Sequence, residues 1–314
     1  MIWMAPRALF VGLALAAAVC LPALSQEKKA ATLVHDISVR AITLAVTVQD
    51  KGGKYITGLS QEDFTISENG VKRTVTYFNH DSEAPLSLTI LLDVSGSMAV
   101  DDKLAESKAA LRDFLTGFAG TKDEVSLLIF ADGQVEVASP FMNDRSRILA
   151  VLDRTEAYGK TALNDAVAVS PEFASRGKNE KRALLLVTDG IENDSQASPE
   201  QALEIARRVD VPIYTIGYSI PLGEQLLAKY KRGSEVTPAG IIATLDRFSQ
   251  ATGGRVFFIN APRELRAALF EIREELGHQY IIGYTSYVNA GGEYRQIQVT
   301  AGKKKYRVRA RQGY

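Results

Sequence analysis

The chain has 314 residues, 46% of them hydrophobic and 24% charged, the composition of a folded protein with room for one large domain or two smaller ones. Lys plus Arg and Asp plus Glu each number 37, so net charge gives no reason to expect non-specific adhesion to nucleic acid or to an anionic membrane.

Arg7 precedes an apolar run over 8–24, and Ala23-Leu24-Ser25 offers small residues where a signal peptidase cuts. This is the plan of a secretory signal peptide spanning 1–25, which predicts a secreted or periplasmic protein with no stable membrane span after cleavage. A retained anchor is the alternative, although the run is short for spanning and polar Gln26-Glu27-Lys28-Lys29 follows at once. Lipid modification at Cys20 is a third reading. Cys20 is the single cysteine, so the cleaved chain would hold no thiol or disulfide, which suits a bacterial envelope.

A β pattern runs over 34–80. Residues 37–48 largely alternate apolar and polar, Asp50-Lys51-Gly52-Gly53 reads as a hairpin turn, and 63–67 is a second strand. Glu68-Asn69-Gly70 then turns into a strand over 71–78. These strands have too little apolar surface for a core of their own. Over 86–276 the pattern changes. Continuous apolar strands at 86–92, 125–130, 183–187, 211–217 and 255–259 alternate with amphipathic helices at 102–118, 145–155, 162–169, 199–209 and 241–251. Pro199 just after Ser198 marks a helix start, and Gly253-Gly254 marks a stop. This alternation predicts an α/β domain, a doubly wound and mainly parallel sheet of Rossmann-like type.

A further helix at 263–276 is followed by β character over 279–314, with strands at 279–284, 294–300 and 305–311. These strands are expected to pack with the N-terminal ones into a flanking β module. Lys303-Lys304-Lys305 with Arg307, Arg309 and Arg311 reads as the solvated face of a terminal strand.

The chemistry concentrates at strand ends. The strand over 86–92 runs into Asp93-Val94-Ser95-Gly96-Ser97, which places one carboxylate and two hydroxyls on a tight turn. Oxygen donors of this kind suit a hard cation such as Mg²⁺, with Mn²⁺ or Ca²⁺ as alternatives. In a doubly wound sheet, ligands gather at the carboxyl ends of strands. Two further donors sit there: Thr161, ahead of a helix, and Asp189, closing the strand that ends Val187-Thr188-Asp189-Gly190.

Asp93, Ser95, Ser97, Thr161 and Asp189 together resemble the metal-ion-dependent adhesion site of the von Willebrand factor type A domain. The resemblance covers about 86–260. Weaker likeness in Gly58-Leu59-Ser60-Gln61-Glu62-Asp63-Phe64 and Gln279-Tyr280-Ile281-Ile282-Gly283-Tyr284 points to a secreted bacterial branch of von Willebrand factor A-related proteins. The resemblance implies that Ser95, Ser97 and Thr161 contact the ion directly or through water, and that Asp93 and Asp189 supply negative charge. It also implies a protein partner offering a Glu or Asp carboxylate to the ion. Gly96 and Gly190 would let the backbone come close, and Asp165 would be a helix-start charge or a neighbour of the site, not a ligand.

Three alternatives bear on these expectations. Enzymatic function lacks a catalyst: His35, His80 and His278 are the only histidines and lie outside the α/β core. No G-x-S-x-G elbow, P-loop or G-x-G-x-x-G follows a strand. A structural or assembly role in an envelope complex, with the metal stabilising the fold, stays open. So does the role of 218–240, which either shapes partner choice or is a solvated insertion.

Overall fold

The computed structural model describes residues 37–117, 122–220, 237–289, 293–302 and 306–314. The expected signal segment, most of 218–240, the turn at 290–292 and Lys303-Lys304-Lys305 lie outside them.

The chain begins with β1 (Ile37–Gln49), β2 (Phe64–Glu68), β3 (Val71–Arg73) and β4 (Val75–Asn79). The α/β region follows with β5 (Leu86–Asp93), α1 (Lys103–Gly117), β6 (Glu124–Ala131), β7 (Gln134–Met142), α2 (Arg145–Arg154) and α3 (Leu163–Ala174). It continues through β8 (Lys181–Thr188), α4 (Pro199–Ala206), β9 (Ile213–Tyr218), α5 (Pro238–Thr252), β10 (Val256–Ile259) and α6 (Pro262–Gly277). The chain closes with β11 (Tyr280–Asn289), β12 (Ile297–Ala301) and β13 (Arg307–Arg309).

The central sheet has the order β10-β9-β8-β5-β6-β7, parallel except at its β7 edge. Its inner strands β9, β8, β5 and β6 are buried on both faces because helices cover both. Along β5, Leu88, Ile90 and Leu92 pack with Leu111 of α1 and Leu265 and Ile272 of α6. Leu91 turns the other way, toward Val167 of α3, Ala202 of α4 and Leu245 of α5. The chain leaves β5 for β6 on one side and returns to β8 on the other. The crevice between β5 and β8 is therefore the topological switch point, where open α/β sheets bind ligands.

The terminal strands pair as expected. β1 lies antiparallel to β11 and β13, and β11 also pairs with β4. β12, β2 and β3 make a separate three-stranded sheet. One apolar cluster joins them, drawing Ile42, Leu44, Val46 and Val48 from β1, Phe64 and Ile66 from β2, and Tyr280, Ile282 and Tyr284 from β11. Neither end of the chain carries that cluster alone.

Several elements differ from the sequence expectation. The strand over 71–78 is two strands in two sheets, β3 and β4. Edge strand β7 was not expected, because Pro140 and its polar residues hide it; Pro is tolerated on an edge. Its signal is the Asp132-Gly133 turn, with φ of 47° and 70°, the two-residue hairpin signature. Helix α3 runs past 169 through Pro171, and Ser170 Oγ, 2.7 Å from the Ala166 carbonyl, turns back onto the helix there. The Ser198–Pro199 start is a capping box: Ser198 Oγ accepts from Gln201 N and Gln201 Oε1 accepts from Ser198 N.

The basic tail is also not a solvated face throughout. Arg307 is exposed, but Arg311 is buried and Arg309 turns inward to pair with Glu275 of α6. Glu275 is fully buried, and it also accepts from Tyr214 Oη of β9 at 2.6 Å and Thr47 Oγ1 of β1 at 3.4 Å. Thr47 is on the β1 face opposite the Leu44–Val46–Val48 row, so one carboxylate ties the β sheets to the α/β core. Removing one partner of a buried pair leaves the other uncompensated, so Glu275→Ala should cost roughly 3 kcal/mol. The urea midpoint should fall accordingly, and Glu275→Gln should recover part of the loss.

Candidate metal centre

Asp93 ends β5 and Asp189 follows the last residue of β8, so the two carboxylates stand across the switch-point crevice. Both are fully buried. Asp93 Oδ1 accepts from Ser95 N at 2.9 Å, an Asx-type turn that folds the chain back so that Ser95 Oγ and Ser97 Oγ lie 3.1 Å apart. Asp93 Oδ2 accepts from Thr188 Oγ1 at 2.6 Å, and that hydroxyl in turn accepts from Gly190 N at 2.9 Å. The hydroxyl of Thr188 thus carries the register of β8 into the turn that holds Asp189. Burial above all, and then the charge of Asp189, push the Asp93 carboxyl up to about 7, against the hydrogen bonds from Thr188 and Ser95.

Thr161 is buried just ahead of α3, and its N–H donates to Asn193 Oδ1 at 2.9 Å. Its loop is bonded to the serine turn by Gly96 N to the Gly159 carbonyl and by Tyr158 N to the Val94 carbonyl, at 2.9 and 2.8 Å. Gly159 has φ of 64°, and a Cβ there would lie 2.2 Å from the Asp132 carboxyl, whose Oδ1 accepts from Lys160 N. Gly190 has φ of 72°, and a Cβ would meet Ile241 of α5 at 2.3 Å. Both positions need glycine for conformation and for space. Asp165 fastens the loop after Asp189, accepting from Gln196 N and Ala197 N at 2.9 Å each. Glu192 does the same from inside that loop, accepting from Asn164 N, Asp194 N and Ser195 N.

Sequence reasoning gave no role to Thr188 and missed Lys103. The Lys103 ammonium bonds Asp189 Oδ2 at 2.5 Å, and it is almost wholly buried. Its only sequence signal is a basic residue opening a helix, where the dipole disfavours it. The remaining Asp189 oxygen, Oδ1, accepts from Ile191 N at 3.2 Å.

Among the described residues, no three His, Cys, Asp or Glu side chains group as a metal site. The strand-end cluster has two carboxylates and relies on hydroxyls for its other donors. This donor set suits a hard divalent ion: two charges balance it and neutral oxygens fill further positions. An octahedral ion with oxygens at about 2.1 Å holds adjacent ligands about 3 Å apart, close to the Ser95–Ser97 spacing. Ser95, Ser97, Asp93, Asp189 and Thr161 could hold such an ion. His80 stacks on Tyr280 and His278 lies against Tyr55, away from these strand ends, while His35 is outside the described residues.

Residues 88–192 match the model of the von Willebrand factor type A domain. A protein of Borreliella burgdorferi is 26% identical over 191 residues, covering 56% of this chain and 54% of its own length. The chain thus spans about half of that relative. A UPF0353 protein of Mycolicibacterium gilvum is 24% identical over 247 residues, covering 73% of this chain and 70% of its own. Among solved structures, the open conformation of the pilus adhesin SpaC from Lactobacillus rhamnosus GG aligns with a TM-score of 0.51 at 10% identity. That alignment covers 79% of this chain and 47% of the adhesin and shows a shared fold.

Thr188→Val removes the donor to Asp93 Oδ2 and the acceptor of Gly190 N while keeping the side-chain shape. It should cost about 1–3 kcal/mol, read as a lower thermal midpoint. Gly190→Ala should cost a comparable amount through its backbone and Ile241.

Proposed function

Given that this chain carries a von Willebrand factor type A domain over residues 88–192, we propose that it is an exported protein-interaction module that binds its partner through a divalent cation. The observation that carries this reading is the pair of buried carboxylates at the switch point, Asp93 and Asp189, beside two hydroxyls 3.1 Å apart. The all-oxygen donors suit Mg²⁺ as the expected ion, with Mn²⁺ or Ca²⁺ as alternatives.

A bound ion supplies a Lewis-acidic point that a partner's Glu or Asp carboxylate can complete. The chain's own residues prepare that point. Ser95 and Ser97 present neutral oxygens, so the ion keeps enough charge to attract an outside carboxylate. Thr188 and Ser95 N hold Asp93 in place, and Asn193 holds the Thr161 loop. No nucleic-acid partner is expected, given the balanced charge. Export rests on the N-terminal sequence plan; among the described residues no helix is long and apolar enough to cross a membrane.

The test is capture from envelope extracts with and without chelator, comparing the native chain with Asp93→Ala and Ser97→Ala. The native chain should bind Mg²⁺ and retain partners only with metal present. Both variants should lose at least about tenfold in metal affinity, or about 1.4 kcal/mol. A partner set insensitive to chelation and to Asp93→Ala would overturn the reading.

A further inference from the structure

We infer that Lys103 is a built-in counter-cation of the carboxylate pair, and that its ammonium competes with the divalent ion for Asp189. The inference rests on the metal-site reading above. Its basis is the buried Lys103–Asp189 bond of 2.5 Å, made between residues 86 apart in sequence.

Three features work against a lysine at this place, and the fold accepts all of them. Lys103 is the first residue of α1, where the helix dipole disfavours a cation. It is 6% exposed, and lysines are rarely buried without a partner. The chain reaches it through Asp101 and Asp102, both in the left-handed region with φ of 53° and 55°. The compensation is electrostatic. Asp93 and Asp189 bring two carboxyl groups together out of water, and the ammonium answers the charge on Asp189 directly. With Lys103 on Oδ2 and Ile191 N on Oδ1, both Asp189 oxygens are engaged. A divalent ion entering the crevice meets a like charge at short range, in a medium that screens it poorly. The ammonium must leave Asp189, and the start of α1 must accommodate it. Lys103 therefore keeps the cation-free domain folded and lowers its affinity for the ion.

The experiment compares the full native chain with Lys103→Met, Lys103→Gln and the exposed-turn control Lys51→Met. Mn²⁺ binding is read from loss of the free-ion paramagnetic resonance signal, and Mg²⁺ binding from titration calorimetry. Lys103→Met and Lys103→Gln should bind at least about tenfold more tightly than native, and Lys51→Met should match native. Without metal the two Lys103 variants should melt below native, and saturating Mg²⁺ should raise their midpoints more than it raises the native one. In native protein labelled at lysine nitrogen, the Lys103 resonance should shift on Mg²⁺ saturation, a readout needing no substitution.

Unchanged or weaker binding in both variants, or a Lys103 resonance that Mg²⁺ does not move, would overturn the inference and leave the metal site standing. Binding by the variants but not by the native chain would support the competition and sink metal-dependent adhesion in the native protein. Binding by none of them would overturn both.

Discussion

Two carboxylates face each other across the one crevice that the strand order opens, and both are out of water. Burial and mutual repulsion each oppose their ionisation, so this end of the sheet holds together only where positive charge and donated hydrogen bonds offset them. The surroundings are organised around that demand. Thr188 and Ser95 N donate to Asp93, and Lys103 and Ile191 N donate to Asp189. Loops from other strands are fastened so that their oxygens stay at the crevice. Asp132 and Asp165 accept backbone N–H groups from neighbouring loops, and Glu192 accepts from its own loop and from the start of α3.

The β sheets solve a similar problem with different partners. Glu68 is fully buried, and burial opposes its charge more than anything else does. Hydrogen bonds from Ser286, Tyr314 and Arg73 outweigh that cost and hold its carboxyl below the usual range. It gathers residues from β2, β3, β11 and the C-terminal end, as Glu275 gathers β1, β9 and β13. Each carboxylate draws partners from several elements at once, although Glu275 Oε2 and Arg309 Nε are left without a hydrogen bond, and such shared partners favour one arrangement over its neighbours. The terminal strands thereby take a single seat against the α/β core, and an apolar cluster assembled from both ends of the chain keeps it.

Much of this was legible in the residues. Short apolar runs such as Leu88–Leu92, broken only by Thr89, read as strands buried on both faces once they alternate with amphipathic helices, so the parallel sheet followed. Elements without that contrast were harder to see. The β7 strand is an edge, half polar and interrupted by Pro140, so its pattern is weak and only the Asp132-Gly133 turn betrays it. The break between β3 and β4 cannot be heard in 71–78, because partners in two different sheets separate them. Arg309 and Arg311 read as a solvated charge run, since nothing within the tail hints at Glu275 of α6, which pairs with Arg309, or at Asp210 between α4 and β9, 3.9 Å from Arg311 Nε.

The sequence by itself marked the candidate oxygens. Asp93, Ser95 and Ser97 share a turn of five residues, and Thr161 and Asp189 are marked by their positions at strand and helix ends. Local geometry and strand polarity suffice to place such groups at one edge of a parallel sheet. Tertiary structure alone decided how their charge is answered. Lys103 meets Asp189 from 86 residues away, after a backbone reversal through two left-handed aspartates that no periodicity announces. A hydrogen-bonding turn is a property of neighbouring residues. The electrostatic balance of a buried site depends on everything the fold brings within a few ångströms of it.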